Sequence, residues 1–197
     1  MSNKYKVLML MGKSGAGKDT VAKFNCEKHS ELFHFVVSST TRPKRDYEVD
    51  GKNYHFLSLP EFTHKLLNNE LIEATEFNNW FYGTSIDSLV KDKINVCVLT
   101  PSAWDILADD SRIDLLPILI VAEDKTRLLR ALNREESPKC QEICRRFLAD
   151  EKDFADLPYG YYVLDNEGGQ GDAALNLLNP NHTFADELQE MISSLKS

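Results

Sequence analysis

Gly12-Lys13-Ser14-Gly15-Ala16-Gly17-Lys18-Asp19-Thr20 decides how this chain folds. Gly12, Gly17 and Lys18 satisfy G-x-x-x-x-G-K. Glycines let successive backbone N–H groups curl around phosphates. A helix starting near Lys18 turns its positive end toward the anion. Lys18 then places a point charge on the terminal phosphates. The flanks fit: Tyr5–Met11 reads as a buried strand, and Lys18 to Lys28 as a helix. Gly12, Ser14, Gly15, Ala16, Gly17, Lys18, Asp19 and Thr20 are therefore candidates for binding ATP. Asp19 stands where a Ser or Thr ordinarily touches magnesium, with Thr20 next to it. Asp19 and Thr20 are the candidate metal ligands. An acid there repels a bare phosphate but can hold the metal through water.

Outward from this loop, strands and helices alternate. Ile94–Leu99, Pro117–Ala122 and Tyr161–Leu164 read as buried strands. Ser102–Ala108, Asp124–Glu136, Lys139–Phe154 and Phe184–Leu195 carry helical periodicity. This pattern predicts an α/β chain with a parallel sheet and helices on both faces. The stretch from Phe33 to about Ser88 breaks it. It is rich in Thr, Tyr, Phe, Asn and Asp, with strand signals at Tyr54–Leu57, Ile72–Phe77 and Trp80–Tyr82. We read it as an inserted β-rich lobe. A smaller insertion is expected at Asn133–Lys139.

Composition sets bounds. The 197 residues make room for one ordinary domain. Net charge is −8, which argues against a basic field for a nucleic-acid polymer. No apolar run approaches the roughly 20 residues of a membrane span. Val7 to Met11 is too short for a signal-peptide core. Cys26, Cys97, Cys140 and Cys144 show no zinc-type spacing and read as reduced thiols, so a cytoplasmic location is expected.

One basic cluster stands out in this acidic chain: Ser38-Ser39-Thr40-Thr41-Arg42-Pro43-Lys44-Arg45, continuing through Glu48 and Gly51 to Tyr54-His55-Phe56. Arginine forks bind phosphate bidentately, and phenols add donors, so the run suits a phosphate monoester. Taken alone, a charge run like this is more often a solvated loop.

The S-x-x-T-R-x-x-R-x-x-E-x-x-G-x-x-Y-x-F run resembles the acceptor-binding segment of guanylate kinases. Further matches follow in order: Ile72-Glu73, Phe81-Tyr82-Gly83-Thr84-Ser85, then Arg130, Arg134 and Arg146, then Asp165-Asn166. The resemblance implies a P-loop NTPase fold, three-layer α/β/α with a parallel central sheet, an inserted β-rich acceptor-binding lobe and a small lid. It implies one domain over 1–197, with core 1–32, 89–123 and 157–197, lobe 33–88 and lid region 124–156. The implied reaction moves the γ-phosphoryl group of ATP, with Mg2+, to GMP or dGMP. Arg42, Arg45, Tyr54 and Tyr82 would hold the acceptor phosphate. Ser38 would donate to guanine O6, and Glu73 would accept from N1–H and N2–H. Thr84 stands where the family often has Ser. Lys18, Arg42, Arg130, Arg134 and Arg146 would surround the migrating charge. Asn166 would lie near the adenine. The expected partners are small nucleotides, with no membrane, and the chain is expected to be a monomer or homodimer.

Arg130 and Arg134 are four apart and are expected to share a helix face. Each lid arginine has a plainer reading, an ion pair with Glu135, Glu136, Asp150 or Glu151. The family pattern also fails in one place. Two aspartates usually follow the strand matching Ile94–Leu99, one near magnesium and one reading the guanine amino group. Here those positions are Thr100 and Ser102. Ser102 is kept as a GMP-binding candidate through its hydroxyl. The Gly-Lys-Asp loop and the missing aspartates also resemble ribose 1,5-bisphosphate phosphokinases, which leaves another acceptor open, either that sugar bisphosphate or a different nucleoside monophosphate. A non-catalytic guanylate-kinase-like binding module is the third reading. The intact Lys18 argues against it.

Overall fold

The computed structural model describes residues 4–44, 48–77, 79–134, 136–157, 160–168 and 175–195. Its central strand is β1 (Tyr5–Met11), whose run from Val7 to Met11 is apolar on both faces because both faces are covered. Leu8 and Leu10 point to one core, Val7, Met9 and Met11 to the other. On the first face lie α1 (Lys18–Lys28) and the helix Ala185–Ser193. On the second lies α3 (Trp104–Asp109), which buries Trp104 and Leu107.

Five strands form the main sheet. They are β1, β2 (Phe33–Phe35), β7 (Ile94–Val98), β8 (Ile113–Val121) and β9 (Tyr162–Asp165). Their order is β2-β7-β1-β8-β9, and every pairing is parallel. The expected α/β/α layering is present. In such a sheet the crevice at the carboxyl ends of the strands takes the ligand. The glycine loop leaves β1 at that end.

A second sheet comes from the chain between β2 and β7. It holds β3 (Ser39–Thr40), β4 (His55–Phe56), β5 (Leu71–Phe77) and β6 (Trp80–Ser85) in the order β4-β3-β6-β5. The β3–β4 pair is parallel, the others antiparallel. The sequence reading missed a helix here, α2 (Leu59–Leu67). Its signal was present. Ser58 and Glu61 form a capping box, with Pro60 in the first turn. Phe62 anchors α2 by stacking on Phe81 at 5.7 Å between ring centroids.

Two helices precede β9: α4 (Asp124–Leu132) and α5 (Cys140–Asp153). The expected Asp124–Glu136 helix is thus too long. It ends where Asn133 caps it, before Pro138. Arg134 lies beyond the helix, so Arg130 and Arg134 do not share a helical face. Strand β8 begins four residues before Pro117, because Ile113 to Leu116 pair with Tyr5 to Leu8. The four cysteines are free thiols. Among the described residues no helix is long and apolar enough to cross a membrane.

Candidate active site

The glycine loop bends as its composition requires. Gly15 and Gly17 take φ of 81° and 99°, a region that side chains rarely adopt. A Cβ at Gly15 would strike the Arg127 carbonyl, and one at Gly17 the Asn166 amide. Lys18 Nζ donates to the Gly12 carbonyl oxygen at 2.7 Å, so the ammonium lies back across the loop. Burial holds its pKa below the ordinary lysine value, opposed by the nearby Asp19 and Asp150.

The loop opens onto a cavity of about 1090 Å³. Gly12, Ser14, Gly15, Gly17, Lys18, Asp19 and Thr20 line it from the loop side. Ser38, Arg42, Tyr54, Glu73 and Tyr82 line it from the second sheet. Arg134 and Arg146 complete the wall. Residues separated by a hundred positions in sequence thus share one space.

Glu73 is 4% exposed. Its Oε1 accepts from Thr84 Oγ1 at 2.8 Å, and Thr84 Oγ1 lies 3.0 Å from Ser38 Oγ. Register explains the contact: Glu73 pairs with Thr84 across β5 and β6, beside an irregularity between Leu71 and Glu73. Burial pushes the Glu73 carboxyl up to about 7, and the Thr84 hydrogen bond opposes it. Thr84 is fully covered and does not itself line the cavity.

Arg42 is held as a fork. Its two terminal nitrogens donate to the two oxygens of Glu48 at 3.0 and 2.7 Å. Its guanidinium lies 5.6 Å from the ring centroids of both Tyr54 and Phe56. Tyr54 meets Tyr82 edge to face at 5.9 Å. Burial raises the Tyr54 hydroxyl to about 12, so it remains a donor at neutral pH. Arg45 lies outside the described residues.

Other candidates sit elsewhere. Arg130 does not line the cavity. Its guanidinium donates to the Asn166 carbonyl at 2.7 Å and reaches the Gly15 and Ala16 carbonyls at 3.4 Å. Asn166 donates from Nδ2 to the Ala16 carbonyl at 2.8 Å, and its buried Oδ1 has no partner among the described residues. Both brace the loop from behind. Thr100 lines the cavity, Ser102 does not, and their hydroxyls lie 2.8 Å apart.

The sequence reading passed over several residues. Glu142 takes both neighbouring arginines: Arg145 Nε at 2.7 Å and Arg146 Nε at 2.9 Å. Those hydrogen bonds, Arg145's first, hold its carboxyl down at about 2. Arg145 lines the cavity beside Arg146. The adjacent Arg-Arg pair was the available signal. Arg127 and Asp150 grip the loop itself, also unforeseen.

The glycine loop, the buried Glu73 carboxylate and an arginine wall thus meet in one cavity. The family model described as guanylate kinase matches residues 4–175. The chain belongs to the guanylate kinase family. A guanylate kinase of Clostridium perfringens (strain SM101 / Type A) is 29% identical over 169 residues, covering 84% of this chain and 78% of that protein. One from Campylobacter jejuni (strain RM1221) is 27% identical over 190 residues, covering 94% and 93%. The crystal structure of guanylate kinase from Anaplasma phagocytophilum superposes with a TM-score of 0.60 at 19% identity, over 97% of this chain and 95% of that one. The fold is therefore that of the guanylate kinases.

Proposed function

We propose that the protein transfers the γ-phosphoryl group of ATP to GMP or dGMP, giving ADP and GDP or dGDP. The observation that carries the reading is one cavity joining Lys18 to the buried Glu73. A carboxylate offers two acceptors to the parallel N1–H and N2–H of guanine. Adenine has no such pair, so a buried Glu73 would go unsatisfied with AMP.

In this reading residues 33–88 form the acceptor lobe and 124–156 the lid. The loop amides and Lys18 hold the donor phosphates. Arg42, Tyr54 and Tyr82, with Arg45, hold the acceptor phosphate. Arg134, Arg145 and Arg146 face the phosphoryl group in transfer and offset its charge. Arg130 acts from behind the loop. Asn166, buried behind the loop on the Ala16 carbonyl, is assigned to the adenine side of the donor site through the loop that it braces. The acceptor oxygen is already anionic at neutral pH, so no special general base is required.

Magnesium fits the oxygen donors of Asp19 and Thr20, both exposed at the cavity wall. Such an ion keeps much of its shell for water and phosphate and needs only one or two protein oxygens. When bound it neutralises charge on the donor phosphates.

A coupled ADP-release assay tests the reading. GMP, dGMP, AMP, CMP, UMP, dTMP and ribose 1,5-bisphosphate would be offered with ATP and Mg2+. Turnover with GMP and dGMP above all others is expected. Preference for the sugar bisphosphate or another nucleotide would overturn the specificity, and no turnover with any acceptor would overturn the kinase.

A further inference from the structure

Ser14 sits in the first half of the phosphate loop, and three of its polar atoms are held from outside that loop. Its N–H donates to Asp150 Oδ2 at 2.7 Å, and its hydroxyl to Asp150 Oδ1 at 3.2 Å. Its carbonyl oxygen accepts from Arg127 Nε at 2.9 Å. Arg127 in turn donates from Nη2 to Asp150 Oδ2 at 3.0 Å, closing the ring. The remaining nitrogen goes to Asp124 Oδ1 at 2.5 Å. Arg127 is 2% exposed and stacks 4.6 Å from the Phe147 ring centroid. A second tie runs alongside, Lys13 Nζ to Glu151 Oε1 at 2.6 Å.

The Arg127–Asp150 ion pair is buried. Desolvating two charges consumes most of their mutual attraction, so such a pair is a poor source of stability. What it supplies here is geometry. A glycine-rich loop has many accessible backbone states, and an empty phosphate loop has amides pointing toward one another with no anion to hold them. Asp150 places a fixed anion on one of those amides, while Arg127 holds the carbonyl of the same residue. Arg146 lies one helical turn before Asp150 on α5, so the stem that carries this arginine is the stem that grips the loop.

We propose that Arg127 and Asp150 are positioning residues of the donor site: by clasping Ser14 they keep the phosphate loop in its nucleotide-binding shape and tie it to the arginine-bearing helices. The inference rests on that loop being the ATP site. Neither residue touches the reacting atoms. Preorganisation of this kind raises donor affinity and leaves acceptor affinity alone.

The test is calorimetric titration of the full chain with a non-hydrolysable ATP analogue and Mg2+, and separately with GMP, alongside thermal melting. Arg127→Met and Asp150→Asn should each weaken the analogue about tenfold and GMP less than about twofold. Both should lower the melting temperature. The double variant R127M/D150L removes both charges and should regain much of the melting temperature, since no lone charge stays buried. It should not regain analogue affinity, because nothing then holds Ser14. Recovery of affinity together with stability would make the clasp merely structural and overturn the proposal. So would single variants that bind the analogue like the wild type. If Arg127→Met does not fold, the isosteric Asp150→Asn decides by the same criteria. A wild-type chain that binds no analogue at all would overturn the ATP-site reading itself, a result separable from failure of the clasp.

Discussion

The carboxylate of Glu73 accepts a 2.8 Å hydrogen bond from Thr84 Oγ1 across two paired strands, in a place almost closed to water. That placement sets its protonation near pH 7, since burial has raised the carboxyl to about 7. Only the ionised form accepts from both guanine donors. GMP binding should therefore strengthen as pH rises from 6 to 8, by about tenfold in KM. Glu73→Gln should abolish that dependence on the residue and lower kcat/KM for GMP about a hundredfold, with little effect on AMP. Steady-state kinetics of both proteins against pH decide it. An equal fall for GMP and AMP would show that Glu73 does not read the base.

The same group predicts a stability profile. Its folded value lies above the ordinary 4.5, so the folded chain binds the proton more tightly than the unfolded one. The contribution is full below pH 4.5 and is lost as pH rises through about 7. Without ligand, Glu73 should cost on the order of 3 kcal/mol of stability at pH 8 relative to acid. Urea unfolding of Glu73→Gln should show a shallower decline between pH 5 and pH 8 than the wild type. Parallel curves would mean that Glu73 ionises normally in the free protein.

Lys18 is the simplest test of the transfer chemistry. Its ammonium donates only to the Gly12 and Lys13 carbonyls among the described residues, both in its own loop, so removing it need not unfold the chain. Lys18→Ala should lose turnover about a thousandfold or more while far-ultraviolet circular dichroism is unchanged. Retained turnover would remove the phosphate-loop mechanism altogether.

Legibility followed sequence distance. The loop from Gly12 to Thr20 was readable because its residues are consecutive and its glycines answer a local backbone demand. The strands of the main sheet were readable because both faces are apolar. Helix α2 was missed although Ser58 and Glu61 announce it, because the surrounding Thr- and Tyr-rich composition suggested strands. Arg127 and Asp150 could not be assigned from sequence. One lies on α4, the other on α5, and only folding brings them onto Ser14. Arg130 misled for a related reason: the spacing to Arg134 implied a common face, but the helix stops at Leu132.

Arg42 makes a bidentate pair with Glu48 beside Tyr54. A lysine keeps the charge there but loses the fork and the flat face. Arg42→Lys should raise KM for GMP about tenfold and leave KM for ATP within twofold. Equal effects on both substrates would move Arg42 out of the acceptor phosphate site.

Asp19 offers the sharpest test of the metal assignment, because its charge acts in opposite directions on two ligands. It sits in the first turn of α1, exposed, next to Lys18 and facing the cavity. If its carboxylate holds magnesium through water, Asp19→Ser should raise the half-saturating Mg2+ concentration about fivefold. The same change removes a negative charge beside the donor phosphates, so metal-free ATP should bind more tightly, not less. Helix α1 would lose a favourable first-turn acid and about 0.5 kcal/mol at most. Turnover titrated with Mg2+, and ATP titrated calorimetrically in the presence of a chelator, read the two effects separately. Opposite shifts identify Asp19 as a metal-directed charge. Unchanged magnesium dependence with tighter metal-free ATP would leave Asp19 as plain repulsion, and the metal would then depend on Thr20 and the phosphates alone.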